Sequence, residues 1–460
     1  MNQKYDSLKM IRAQVQADRA QGMLDYHRQM VGIGGSNAAP MPEPVRKPVA
    51  ALKRKMVRVF LQEYFFVYPD HNVFDWSRLD AFMDSLAETG CQVMASICLK
   101  PHVLYPVIDP RVFMPNDVNE WQKLVEELVR RYSVERKLVT HWGILNETNI
   151  GEDGGCPHEI RDPDDYYHFY VMTAAAVRKA WPEAKVGGPS TAGMDAAFVG
   201  RFVELCEKNH TPLDFICYNI YSGDPEDHVS AALQAHEMVR KLDHTVEVYQ
   251  TELNTWFPHA YVEEAAYSGR YAASLAAVLM ELNDTPITGS FQFDMYDTYV
   301  DPDDFEKFYS KVPFMLRHWN EIPHRFGLFD LDGRVRPQYF VYKLLSEMEG
   351  ERLACTAEDE QIRMAAAQKD GTYRVLLTNY GLKSTEDKVV NLMFSQVRRG
   401  LYRLEVFRID DQREGLKNPF AMEPVESRLT FILPEYSAHI LLPADSVTLV
   451  RLTAAENHNR

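Results

Sequence analysis

Eight short apolar runs, rich in β-branched and aromatic residues, recur between residues 30 and 293, and helical stretches separate most of them. This alternation is typical of parallel βα units. The clearest unit is the helical stretch FDWSRLDAFMDSLAETG followed by the strand-like CQVMASICLKP. Eight such units predict a closed (β/α)₈ barrel, whose active site is built from the carboxyl ends of its strands. The runs cover residues 30–35, 56–61, 91–99, 139–145, 184–188, 213–220, 246–251 and 287–293.

The segments on either side of the barrel, predicted over residues 29–348, have different patterns. After about residue 349 the helical periodicity gives way to short alternating strands, with a hairpin signal at Asp370-Gly371. This pattern predicts a C-terminal antiparallel β-sandwich over residues 349–460. Leu8, Ile11 and Val15 are spaced at helical intervals, which predicts a helical extension over residues 1–28.

The overall composition narrows the class of partner. The chain of 460 residues carries a net charge of −16 at pH 7, which argues against nucleic acid or an anionic membrane and favours a neutral ligand. Its six cysteines lack the spacing of a metal site and fit free thiols in a reducing compartment. Because the first thirty residues contain no apolar segment typical of a signal peptide, we expect a cytoplasmic protein unless a leader precedes this sequence. The sequence does not decide between a monomer and a homo-oligomer.

Two glutamates follow strand-like runs at positions where a carboxylate is costly to bury. ILNETN ends one run on Asn146 and Glu147, and VEVYQTELNTW carries Glu252 at the end of another. A buried charge must be paired or functional. Considered alone, the position of either glutamate is explained by a structural role. They lie 105 residues apart, about three repeats of a barrel that averages ~250 residues over eight units. Both are therefore expected at the catalytic face, where two facing carboxyl groups are suited to glycoside hydrolysis.

Several motifs resemble those of the clan A retaining glycoside hydrolases. ILNETN is similar to their acid/base strand and YQTELNTW to their nucleophile strand. MVRVFL places Arg58, and LDFICYNIY places Tyr221, where the clan has an arginine and a tyrosine. The segment FGLFDLDGRVRPQYFVYKLL resembles the closing segment of glycoside hydrolase family 39, the β-xylosidase and α-L-iduronidase family. The resemblance covers about residues 29–445.

This resemblance implies a role for each matching residue. Glu147 would be the general acid/base, and Glu252 the nucleophile that forms a glycosyl-enzyme intermediate. Asn146 would hydrogen-bond the sugar 2-hydroxyl, while Arg58 and Tyr221 would keep Glu252 ionised and oriented. The implied enzyme is a retaining, β-xylosidase-like exo-glycosidase acting on an oligosaccharide or other glycoside. It would need neither a metal nor an organic cofactor.

Four positions depart from the family pattern. Phe60 and Asn219 stand where the family has histidines, Phe293 stands where it has a tryptophan, and Thr148 where it has a proline. Since the two histidines are polar sugar contacts in the family and the tryptophan is a stacking ring, these departures leave the sugar open. An endo-acting enzyme or another exo-glycosidase of the clan is therefore the alternative, and a catalytically silent carbohydrate-binding barrel is the alternative from another class.

Three further groups of residues allow two interpretations each. Trp256, four residues past Glu252, is equally suited to stacking on a sugar and to packing within a loop. Asp294 and Asp297 follow the eighth run, where we expect a solvated face rather than substrate contacts. MVGIGGSN is better explained as the first barrel strand than as a dinucleotide loop, because Asn37 stands where the third glycine belongs.

Overall fold

The first segment of the structure is a strand, not the predicted helix. The computed structural model describes residues 8–257, 263–321, 325–418 and 420–455, and in it Lys9–Leu24 forms strand β1. Ile11, Ala13 and Val15 are buried while their neighbours are more exposed, which is the two-residue period of a strand. The helical spacing of Leu8, Ile11 and Val15 was misleading. The small residue Ala13 lies between Ile11 and Val15 and completes the two-residue alternation of a strand. The predicted helical extension over residues 1–28 is therefore wrong for the described residues from 8 onward, and residues 1–7 lie outside the described part of the chain.

The barrel is confirmed. In the described part of the chain, eight parallel strands close in sequence order, and the first pairs with the last through Gln29 and Ser290. Each of the eight predicted runs overlaps one strand. They are β2 (Gln29–Gly32), β3 (Met56–Leu61), β4 (Gln92–Ile97), β5 (Val139–Ile144), β6 (Lys185–Ala192), β7 (Phe215–Tyr221), β8 (Glu247–Asn254) and β9 (Gly289–Gln292).

Helices follow the barrel strands, and in the described residues five of them begin after an aspartate cap. The side chain of each of these aspartates accepts backbone N–H of the first helical turn, which satisfies donors that the helix cannot. They are Asp117, Asp162, Asp195, Asp224 and Asp301. Short turns of other helix types occupy Glu63–Phe65, Arg130–Glu135, Gly151–Gly154 and Arg317–Glu321. The α-helices are α1 (Glu43–Ala51), α2 (Ser77–Ala87), α3 (Val118–Val129), α4 (Pro163–Ala180), α5 (Ala196–Lys208), α6 (Pro225–Val239), α7 (Glu263–Ala266), α8 (Gly269–Leu282), α9 (Pro302–Phe305), α10 (Val312–Leu316) and α11 (Pro337–Glu347).

The barrel interior is layered. Met56, Arg58 and Phe60 alternate along β3, so their side chains share one face of the strand. Met56 belongs to an apolar cluster with Met30, and Phe60 to a second cluster near the carboxyl ends of the strands. The guanidinium of Arg58, which is 1% exposed, therefore lies between two apolar layers and requires buried partners.

A second sheet combines residues from before and after the barrel. The C-terminal strands are β10 (Gly350–Ala357), β11 (Ile362–Lys369), β12 (Thr372–Asn379), β13 (Lys388–Ser395), β14 (Gly400–Ile409), β15 (Leu416–Lys417), β16 (Ala421–Met422), β17 (Glu426–Ile432), β18 (Tyr436–Leu442) and β19 (Ser446–Ala454).

The nine strands of this sheet run in the order β17-β14-β19-β12-β11-β10-β1-β13-β18, antiparallel except for the pair of β1 and β13. Because β1 lies between β10 and β13, the C-terminal domain predicted for residues 349–460 also includes residues 9–24. Strands from both ends of the sheet contribute to one apolar core, and Asp370-Gly371 forms the predicted hairpin.

Within the described ranges, none of the helices has the length and apolar character needed to cross a membrane. The same residues contain no group of three histidine, cysteine, aspartate or glutamate side chains that converge as a metal site would require.

Candidate active site

Glu147 lies just beyond the fourth barrel strand, in a tightly held turn. Its N–H donates to the Ser190 carbonyl at 2.8 Å, and its carbonyl accepts the N–H groups of Ile150 and Gly151 at 2.9 and 2.8 Å. The backbone at Leu145 and Glu147 has positive φ, of 63° and 46°, a conformation that non-glycine residues rarely adopt. Strain of this kind is typical of functional positions, and here it places a 7% exposed carboxyl group at the barrel mouth.

Glu252 lies on the seventh barrel strand and receives two hydrogen bonds. Arg58 Nη1 donates to its Oε1 at 3.0 Å, and the Tyr221 hydroxyl donates to its Oε2 at 2.6 Å. Both donors come from other barrel strands, β3 and β7. Each oxygen of this buried carboxylate therefore has a partner, and a cation lies against it.

A continuous hydrogen-bond network joins the two glutamates. Arg58 Nη2 donates to Asn146 Oδ1 at 2.7 Å, and Asn219 Nδ2 donates to Glu147 Oε1 at 2.8 Å and to Asn146 Oδ1 at 3.3 Å. Asn219 Oδ1 in turn accepts the hydroxyl of Thr251, the residue before Glu252, at 2.8 Å. The structure thus brings together Glu147, Glu252 and four of the predicted substrate-binding residues.

The environments of the two carboxyl groups differ. Burial and the negative charge of Glu252 raise the pKa of Glu147 well above its usual range, while the Asn219 hydrogen bond and the Arg58 charge act in the opposite direction. Burial, and the nearby carboxylates, also raise the pKa of the Tyr221 hydroxyl, which keeps it a donor to Glu252. The arrangement pairs a carboxyl group that holds its proton with one that has two donors, as acid and nucleophile require.

A cavity of about 630 Å³ opens above the two glutamates. Asn219, Tyr221 and Phe293 line it, whereas Arg58 and Asn146 lie beneath its floor. Trp256 does not line it: the indole packs edge-on against Tyr271 in a separate cavity of about 330 Å³, so the proposed sugar stacking is corrected to loop packing. The lining residues are Glu147, Ile150, Asp153, Gly154, Gly155, Ala192, Gly193, Met194, Asn219, Ile220, Tyr221, Ser222, Asp227, Glu252, Phe257, Phe293, Phe314, Met315, His318, Trp319 and Phe326.

The two aspartates after the eighth strand are buried, so the predicted solvated face is wrong. Asp297 pairs with Arg336 at 2.6 Å between side chains that are each 1% exposed. Asp294 Oδ1 accepts the N–H of Gly34 at 2.9 Å, and burial raises its pKa well above the usual range. Neither side chain lines the cavity; both anchor the loop that follows the eighth strand.

Two functional contributors were missed from the sequence. Trp319 reaches the cavity from the segment after α10 and packs edge-on against Phe293, with ring centroids 6.0 Å apart. The hydroxyl of Ser190, whose φ is 55°, donates to Asn146 Oδ1 at 2.9 Å. A tryptophan far from any strand-like run, and a serine two residues past the predicted run 184–188, carry no sequence signal for a place in the site.

The fold is a (β/α)₈ barrel, and a hydrogen-bond network connects two glutamates at the ends of its fourth and seventh strands. This combination defines the class of barrel glycoside hydrolases. Comparison with known proteins agrees. The sequence model described as "Glycosyl hydrolases family 39" matches residues 50–378. The chain belongs to glycosyl hydrolase family 39, and it is a glycoside hydrolase.

Similar proteins include enzymes with different named activities. A beta-xylosidase of Caldicellulosiruptor saccharolyticus is 25% identical over 374 residues, which are 75% of this chain and 72% of that protein. A monomeric beta-xylosidase from Caulobacter crescentus has the same fold, with a TM-score of 0.75 and 18% identity over 97% of this chain and all of that one. A glucosidase from Croceicoccus marinus superposes with a TM-score of 0.74 and 19% identity, over 98% and 100% of the two chains.

Proposed function

We propose that this protein is a retaining exo-glycosidase of the β-xylosidase type, in which Glu147 is the general acid/base and Glu252 the nucleophile. The observation that supports it best is the network that joins both carboxyl groups through Arg58, Asn146 and Asn219. A silent binding barrel has no need of two buried carboxyl groups held this way, since burying them costs free energy.

The reaction has two displacements. In the first, an oxygen of Glu252 bonds to the anomeric carbon, the glycosidic bond breaks, and Glu147 gives its proton to the leaving oxygen. In the second, Glu147 accepts a proton from water while the water oxygen bonds to the anomeric carbon and the bond to Glu252 breaks. The product keeps the starting anomeric configuration, and both carboxyl groups return to their original state.

The neighbouring residues have distinct tasks in this proposal. Arg58 and Tyr221 hold the attacking carboxylate of Glu252 from two sides. Asn146 Oδ1 accepts hydrogen bonds from Arg58, Ser190 and Asn219, which fixes the amide plane. Its Nδ2 donates to the carbonyl of Gly154, a residue that lines the cavity, at 3.4 Å, and in this proposal the second N–H of Nδ2 donates to the sugar 2-hydroxyl.

The sugar is bounded by residues that depart from the family pattern. Phe293 packs against Phe60 and Phe326 at the strand ends, where an aromatic face suits the apolar face of a sugar ring. Loops after several barrel strands surround the cavity, which favours removal of a terminal sugar over cleavage within a long chain. A cytoplasmic location and action without a cofactor complete the proposal.

The experiment is hydrolysis of a panel of aryl glycosides that differ in sugar. Wild type should release one sugar best, and Glu252→Ala should lose at least about 10⁴-fold in kcat. Glu226→Ala, on the first turn of α6, serves as the control. Proton NMR of the first product should show the retained anomer. An inverted anomer would exclude Glu252 as nucleophile, and binding of oligosaccharides without any release would establish the silent binder.

A further inference from the structure

Most of the cavity wall away from the two glutamates is apolar, although Asp153, Ser222, Asp227 and His318 also line it. The apolar side chains come from separate loops and from α10, and two of them face solvent: Phe257 is 45% exposed and Ile150 is 37% exposed. Exposed apolar side chains gathered at the mouth of a cavity mark a site for an apolar ligand group. The apolar lining of the upper part is Ile150, Met194, Phe257, Phe314, Met315 and Trp319.

The polar side chains of the same walls have hydrogen-bond or ion-pair partners within the protein. Asp153 forms an ion pair with Lys311 at 2.7 Å, Ser222 donates to Asp227 at 2.5 Å, and His318 Nδ1 donates to the Phe314 carbonyl at 2.8 Å. A second sugar in the upper cavity would bring several hydroxyl groups into contact with apolar walls. Hydroxyl groups buried without hydrogen-bond partners lose their interactions with water, so a second sugar fits this space poorly.

Ile150 and Met194 are apolar wall residues next to the acid/base and to its hydrogen-bond partner Asn219. Ile150 N–H donates to the Glu147 carbonyl at 2.9 Å, and Gly193, next to Met194, donates to the Asn219 carbonyl at 3.0 Å. A Cβ at Gly154 would collide with the Glu147 carboxyl group and lie 2.8 Å from Ile150 Cδ1, so this glycine lets both side chains border one space. Since Glu147 protonates the leaving oxygen, the leaving group must pass Ile150 and Met194.

We propose that the leaving group is an apolar aglycone, an alkyl or aromatic group, rather than a further sugar residue. Ile150 and Met194 are then specificity-determining residues that contact the aglycone. This inference rests on the proposed function, because it assumes that Glu147 is the acid. It refines the oligosaccharide expected from the family resemblance.

The test uses alkyl glycosides of the sugar that the aryl panel selects. Methyl, butyl and hexyl glycosides have leaving alcohols of similar acidity, so differences in kcat/KM report contacts with the alkyl chain. Wild type should gain roughly fourfold in kcat/KM for each methylene that enters the cavity. A disaccharide of the same sugar should react no faster than the methyl glycoside.

The variants Ile150→Asn and Met194→Gln should reduce the hexyl-to-methyl ratio of kcat/KM about tenfold. Leu233→Gln replaces a side chain 49% exposed on α6, outside the cavity, and should keep the wild-type ratio. The inference is overturned if the disaccharide is preferred to the hexyl glycoside, or if the ratio survives both substitutions. Failure of the proposed function looks different, because then no glycoside is hydrolysed or Glu252→Ala remains active.

Discussion

Replacing Asn219 by alanine should show how much of the activity depends on the positioning of Glu147, because the acid/base residue itself is unchanged. The amide of Asn219 donates to Glu147 Oε1 at 2.8 Å, inside a site where Glu147 is 7% exposed. A hydrogen bond to a charged group contributes about 1.5–3 kcal/mol. Its loss should therefore reduce kcat/KM about 10- to 100-fold, since Glu147 is then neither oriented nor stabilised as a carboxylate.

The same substitution should change the pH dependence in a defined direction. Burial and the Glu252 charge raise the pKa of Glu147, and the Asn219 bond opposes that rise because it favours the carboxylate. Glu147 acts as an acid only while protonated, so activity falls as pH rises through its pKa. Removing the donor raises this pKa further, and the basic limb of the kcat/KM profile should move to higher pH.

The assay is a pH series of kcat/KM with the best aryl glycoside, together with thermal unfolding. Asn219→His places there the residue that the family resemblance implies and should restore part of the rate, because histidine can also donate. Asn119→Ala, at an exposed position on α3, is the control. A basic limb at the wild-type pH, combined with less than a twofold loss of kcat/KM, would refute this account of Asn219.

Two further predictions concern stability. Val15→Ala should lower the free energy of unfolding by about 2 kcal/mol in a denaturant titration, because Val15 is buried in the core of the nine-stranded sheet. Met10→Ala, at a side chain 59% exposed on the same strand, should change the free energy of unfolding little. Equal effects of the two substitutions would contradict the placement of β1. Asp297→Ala should cost about 3–5 kcal/mol, because it leaves the buried charge of Arg336 without its carboxylate. Asp332→Ala, at a 78% exposed side chain, is its control, and a matching effect there would count against the buried pair.

The barrel and its two glutamates were accessible from sequence because both depend on local patterns. Each barrel strand is a short apolar run, and the positions of Glu147 and Glu252 follow from where those runs end. The strand β1 was missed because Leu8, Ile11 and Val15 also fit a helix, and only pairing with distant strands decides between the two.

The walls of the cavity were not accessible for a different reason. Trp319 reaches the site from a segment outside the strands, and Trp256 turns away from it although it lies four residues past Glu252. Where a loop side chain points depends on the packing of the whole loop, which no short pattern encodes. Ser190 lies on β6 but past the end of the predicted run 184–188, and its hydrogen bond to Asn146 depends on a backbone conformation that sequence does not reveal.

The place of β1 has a consequence for how the chain is assembled. Ribosomes make β1 before the barrel, yet β10 and β13, the strands on either side of it, follow the barrel. Both edges of β1 therefore lack their partner strands while more than three hundred residues are synthesised. This delay slows folding and leaves β1 open to pairing with wrong partners. Once β10 and β13 pair with β1, the chain segments before and after the barrel belong to one sheet. Cutting the chain after the barrel should then leave β1 unpaired rather than release an independent catalytic domain.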